Sequence, residues 1–123
     1  MTEGNDASSV SRVEIEHRMA GEVAVMAVTG KVDHATAHQL VEAVRTGLDC
    51  TRGGFCVLDL TAVQFLGGHG LSALLKAARA AENRQQPLRI AVDHNRPVIR
   101  PLEITGLEEF LALYHSVEEA LQA

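Results

Sequence analysis

Val13-Glu14-Ile15-Glu16-His17-Arg18 alternates apolar and polar side chains, the period of a strand with one wet face, which suits a sheet edge. Gly21 permits a turn, and the following Val23-Ala24-Val25-Met26-Ala27-Val28 is apolar throughout, as a strand covered on both faces requires. Asp33 is placed to cap a helix, and Ala37, Leu40, Val41, Val44 and Leu48 then recur at helical spacing. Residues 49–54 break that helix, and the apolar run over 55–60 predicts a third strand. From Leu71, the positions Leu71, Leu74, Leu75 and Ala78 form a second helical stripe that runs to about residue 82.

Alternation returns over 88–92, a fourth strand, and 93–96 turns the chain. A short helix should hold Val98, Leu102 and Thr105 with Gly106 at its C-terminal cap, although Pro101 removes a backbone donor inside it. Residues 110–114 read as a brief strand, and Ser116-Val117-Glu118-Glu119 fits a capping box that opens a last helix. Alternating strands and helices predict an α/β fold, a single-domain sandwich with a mostly parallel mixed sheet of about five strands and about four helices. In such a sheet the loops that follow the strands gather on one rim, where ligands bind.

A chain of 123 residues suits one core. The polar, acidic residues 1–10 read as a disordered lead and 11–123 as the domain. A net charge of −5, with eleven basic residues spread along the chain, argues against nucleic acid and anionic membrane partners. With one tyrosine and no tryptophan, stacking platforms are scarce as well. No apolar run approaches the roughly 20 residues of a membrane helix, and the N-terminus lacks the basic start and apolar stretch of a secretory signal. These features predict a soluble cytoplasmic protein.

The richest chemistry lies in Phe65-Leu66-Gly67-Gly68-His69-Gly70, a glycine-rich turn between the third strand and the second helix. Its amides and the helix's partial positive charge favour an anion or an acidic partner. The turn has no Ser, Thr or Cys to act as nucleophile, so a recognition surface is expected and not an enzyme. His34, His69 and His94 all follow strands, with Asp33 and Asp93 beside two of them. They form either a pH-sensitive or metal-binding rim or, more plainly, a set of solvated loop histidines. His34 and His38 have the spacing of a helical chelate but no evident third and fourth ligand, so no metal and no cofactor are expected.

Cys50 and Cys56 lack metal-finger spacing, and Cys56 reads as a buried small hydrophobe. Asp59, a carboxylate in an apolar strand, needs donors to satisfy it and so suits a structural role. On the second helix Ser72, Ala73, Lys76, Ala77 and Ala80 lie off the leucine stripe. They make either a solvated alanine-rich face or a flat surface for a protein partner.

The stretch Val57-Leu58-Asp59-Leu60-Thr61-Ala62-Val63-Gln64-Phe65-Leu66-Gly67-Gly68-His69-Gly70-Leu71, with Leu102-Glu103-Ile104-Thr105-Gly106-Leu107 downstream, resembles the STAS domain of bacterial anti-sigma factor antagonists. The resemblance covers nearly the whole chain after the first dozen residues. It implies an antagonist that binds an anti-sigma factor and so releases a sigma factor for transcription. In that family the turn usually reads Asp-Ser-Ser-Gly, and a serine in it is phosphorylated by the anti-sigma factor, itself a kinase. Here Gly67, Gly68, His69 and Gly70 occupy those positions, so binding carries over and control by serine phosphorylation does not. The partner-binding set the resemblance implies is Gly67, Gly68, His69, Gly70, Ser72, Ala73 and Lys76, with Asp33 and His34 alongside. Thr61 is the nearest hydroxyl for a displaced phosphorylation site. An STAS accessory or sensor subunit that binds a small molecule or a transporter partner is the alternative, and a phosphocarrier using His69 is a third.

Overall fold

A computed structural model describes residues 12–51 and 53–123; the expected lead at 1–10 lies outside the described residues. The chain runs β1 (Val13–Ala20), β2 (Val23–Val32), α1 (Ala37–Cys50), β3 (Cys56–Leu66), α2 (Gly68–Asn83), β4 (Leu88–Ala91), α3 (Arg96–Thr105), a 3-10 turn (Leu107–Phe110), β5 (Ala112–Tyr114) and α4 (Val117–Gln122). The sheet follows chain order, β1-β2-β3-β4-β5. Its edge strand β1 pairs antiparallel with β2, and the remaining pairs are parallel. This is the mixed, mostly parallel α/β architecture that the hydrophobic pattern predicts.

Period-two alternation in the strands sorts their side chains between two layers. Met26 and Val28 of β2, Leu58 and Leu60 of β3 and Ile90 of β4 face one layer. There they meet Leu40, Val44 and Leu48 of α1, Leu71 and Leu74 of α2, and Val98 and Leu102 of α3. The opposite face is more thinly covered: Val25 and Val57 lie beneath Ala120, with Val117, Leu121 and Tyr114 around them. Arg89 holds this last helix in place. Its guanidinium lies 3.9 Å from the centre of the Phe55 ring and donates to the carbonyls of Ala120 and Ala123, each at 2.7 Å, closing the open end of α4.

β3 is longer than the predicted strand over 55–60, and the extra length decides where the rim stands. Beyond Asp59 it pairs with β2 alone, through Thr29 with Ala62, Lys31 with Phe65 and Val32 with Leu66, across two register shifts. Among the described residues its other edge has no strand partner there, because the β4 pairing stops at Asp59 with Ala91. Asn95 fills the gap: its side-chain amide donates to the carbonyls of Leu60 and Val63, each at 2.8 Å. The bulges and the single covered edge explain why Thr61 to Leu66 shows no clean alternation in the sequence.

Smaller departures have equally local causes. Asp33 does not cap α1: its carboxylate accepts from the Ala35 amide at 3.0 Å, and the N-cap is Thr36, which makes no side-chain cap. The buried Thr36 hydroxyl instead donates to the Lys31 carbonyl at 2.7 Å and accepts from the Asp33 amide at 3.0 Å, so residues 31–36 form a braced turn. Residues 107–110 wind into the 3-10 turn and leave β5 only 112–114 of the expected strand. Gly106 caps α3 in the left-handed conformation (φ 75°), as expected. Ser116 caps α4 by accepting from the Glu119 amide at 3.0 Å, while the Glu119 carboxylate accepts from the amide of His115, one residue before the cap.

Candidate functional site

The predicted turn is tighter than the sequence suggests. Gly67 alone separates β3 from α2, and the helix begins at Gly68, so His69 and Gly70 lie in its first turn and not in a loop that precedes a helix starting at Leu71. The Gly67 amide donates to the Val32 carbonyl at 3.0 Å, tying the turn to the end of β2, and the Leu71 amide closes the first helical bond on the Gly67 carbonyl at 2.9 Å. The amides of Gly68, His69 and Gly70 therefore have no acceptor within the helix. Gly68 and His69 are exposed at the rim, whereas Gly70 is buried.

Gly70 serves packing. A Cβ there would lie 2.6 Å from Leu66 Cδ1 and 3.0 Å from the Val32 carbonyl oxygen, so the absence of a side chain lets α2 sit down on the ends of β2 and β3. At Gly68 a Cβ would meet no atom of the described residues within 4 Å. The two glycines thus differ in kind: one is demanded by the fold and the other faces open space.

The outer face of α2 also needs correction. Ser72 and Lys76 are exposed as expected, but Ala73 and Ala77 are buried. Both belong to the core that α1 and α2 share above the sheet, where small side chains let the helices approach closely. Ala73 is therefore removed from the partner-facing set. The exposed strip on α2 is His69, Ser72, Lys76 and Arg79.

Beside this strip stands His34, exposed in the braced turn after β2, with its ring centroid 5.8 Å from that of His69 and tilted by 58°. Asp33 is half-buried and engaged with the same turn. On the other flank an apolar groove that the sequence reading missed runs between the end of β3 and α3. Phe65 (47% exposed), Pro97, Pro101 and Ile104 (73% exposed) line it, with Arg96 and Arg100 at its margins. Two observations could have signalled it in the sequence: a phenylalanine at the strand's end and two prolines in a helix with two arginines.

The remaining candidates separate. Asp59, half-buried, accepts from the Thr61 amide at 3.0 Å and from the Thr61 hydroxyl at 2.7 Å, the structural role expected of it. Thr61 therefore already donates its proton within the strand. Cys50 and Cys56 are both free thiols; Cys56 is fully buried, and that burial pushes its thiol up to about 11. His94 stacks on neither His34 nor His69. It pairs with His115, at 5.5 Å between centroids. Among the described residues no helix is long and apolar enough to cross a membrane.

Comparison with known proteins places this geometry. The STAS domain family model matches residues 14–120. The chain is 33% identical over 100 residues to the anti-sigma-F factor antagonist RsfB of Mycobacterium tuberculosis, a match that spans 80% of this chain and 79% of that protein. It is 24% identical over 110 residues to an anti-sigma F factor antagonist of Paenibacillus polymyxa, covering 89% and 92% respectively. Among solved structures, an anti-sigma factor antagonist from Mycobacterium paratuberculosis superposes with a TM-score of 0.73 at 27% identity, over 90% of this chain and 92% of that one. The strand, glycine turn and helix start described above thus sit in a fold shared with these regulators, and the chain belongs to the STAS domain family.

Proposed function

We propose that this chain is an anti-sigma factor antagonist: it binds a kinase-like anti-sigma factor in the cytoplasm and so releases a sigma factor. The observation that carries this reading is the exposed start of α2, where Gly68, His69, Ser72 and Lys76 project from the rim of a fold shared with named antagonists. In the proposed complex His34 and the Asp33 turn flank this strip on one side. The groove of Phe65 and Ile104 extends the contact on the other, supplying the apolar centre that a specific interface needs. The exposed start of α2, where the helix's partial positive charge lies, and the cations Lys76, Arg96 and Arg100 favour an acidic partner surface.

The same residues support a departure in regulation. Gly67, Gly68, His69 and Gly70 carry no hydroxyl, so this antagonist is not switched off by phosphorylation within the turn. Residues 11–123 act as one binding domain without chemistry of their own. The test is co-expression of the full chain with the anti-sigma factors of its source. A complex stable through gel filtration and disrupted by changes at His69 and Lys76 supports the reading, and failure of every anti-sigma factor to bind contradicts it.

A further inference from the structure

The parallel register of β4 and β5 brings His115 beside Asp93 and His94, from which it is distant in the sequence. Ile90 pairs with Leu113 and Ala91 with Tyr114, and the Val92 amide carries the ladder one step further by donating to the Tyr114 carbonyl at 2.8 Å. Both strands then end together. Asp93 and His94 leave one strand beside His115, which leaves the other. Asp93 adopts a left-handed conformation (φ 50°), and the His115 amide is tied to the Glu119 carboxylate at 2.8 Å.

We propose that Asp93, His94 and His115 form a binding site for a borderline divalent metal ion of the zinc class. Each contributes one ligand atom, and these atoms all lie within 4.8 Å of one another. His94 Nε2 is 3.9 Å from Asp93 Oδ1, and the two imidazole rings are 5.5 Å apart between centroids with a tilt of 46°. Donors bound to one tetrahedral ion at about 2.0–2.2 Å stand roughly 3.5 Å from one another. Small rotations of these exposed side chains therefore converge them on an ion without moving the backbone. Two imidazoles and one carboxylate select zinc and its transition-metal neighbours over magnesium or calcium, which prefer all-oxygen shells. Three protein ligands leave a fourth position for water or for a ligand from another molecule.

Isothermal titration of the full chain with zinc, in a buffer that does not chelate it, tests the site. The expected result is saturation at one ion per chain well below millimolar zinc, with affinity at least tenfold weaker in His94→Ala and in His115→Ala and unchanged in a His34→Ala/His69→Ala double variant. Unchanged melting temperatures without metal establish that the variants fold. Titration that fails to saturate by millimolar zinc overturns the proposal. So does wild-type affinity in His115→Ala, or loss of binding confined to the His34/His69 variant.

Discussion

The imidazole of His69, in the first turn of α2, lies 5.8 Å from that of His34, in the turn that follows β2. Two segments separated by a whole helix and strand thus present one continuous polar surface. Both turns are fixed from below, one through the Gly67 amide on the Val32 carbonyl and the other through the Thr36 hydroxyl on the Lys31 carbonyl. Residues this close share a partner's contacts, so their effects on binding should not add. His34→Ala and His69→Ala, measured singly and together against an anti-sigma factor, are expected to show a coupling energy of at least about 0.5 kcal/mol. Strict additivity would mean that the partner covers only one of them.

The glycines of the turn make a sharper contrast. Gly70→Ala should destabilise the fold, because the added methyl meets Leu66 and the Val32 carbonyl, and this clash outweighs the roughly 0.5–1 kcal/mol that alanine gains over glycine in a helix. Gly68→Ala faces open space and should be neutral or stabilising by up to about 1 kcal/mol. Urea titration of the two variants decides the matter, and equal midpoints would contradict the assigned roles.

Phosphorylation follows from the same geometry. Incubated with the anti-sigma partner and ATP, the wild-type chain should carry no phosphate on residues 67–70 by mass spectrometry. Gly68→Ser places a hydroxyl in the exposed first turn without a clash and should gain one. Stoichiometric phosphate on Thr61 of the wild type would move the switch to a displaced site and contradict a chain without one.

The core claim is tested on α2. Leu74 is fully buried, so Leu74→Ala should cost about 2–5 kcal/mol, whereas Lys76→Ala on the exposed strip should stay within about 0.5 kcal/mol. Asn95→Ala should cost about 1–3 kcal/mol despite its half-exposed position, because the carbonyls of Leu60 and Val63 each lose their donor. Thermal denaturation of the variants reads both.

Burial raises the Cys56 thiol to about 11 from an ordinary value of 9.0. A pKa raised in the folded state keeps its proton there while the unfolded chain releases it. The contribution to stability is therefore complete below about pH 9 and is lost progressively as pH rises towards 11. Cys56→Ala should remove that part of the alkaline decline. In the native protein at pH 8 an alkylating reagent should modify the exposed Cys50 and spare Cys56, with a second equivalent taken up only on unfolding.

Much of this was legible in the sequence, for reasons that also mark where legibility ended. The stripes of α1 and α2 and the doubly apolar β2 stand out because burial demands large aliphatic residues at a fixed period. Ala73 and Ala77 misled because alanine serves equally on a solvated helix face and where two helices approach closely. The second half of β3 was hidden because it bulges and has a strand on one side only, its other edge being satisfied by a side chain, Asn95, that no local pattern connects to it. His115 could not be joined to Asp93 and His94 from spacing, since a parallel register and not a local turn brings them together.

The central claim is that the start of α2 docks on an anti-sigma factor. Calorimetric titration of that partner into wild-type protein and into His69→Asp, whose fold is checked by circular dichroism, tests it most directly. A carboxylate at the exposed helix start sets a negative charge where an acidic partner is expected. The predicted result is saturable wild-type binding weakened at least tenfold, about 1.4 kcal/mol, by the substitution. Equal affinity for the two proteins would place the interface elsewhere and contradict the account.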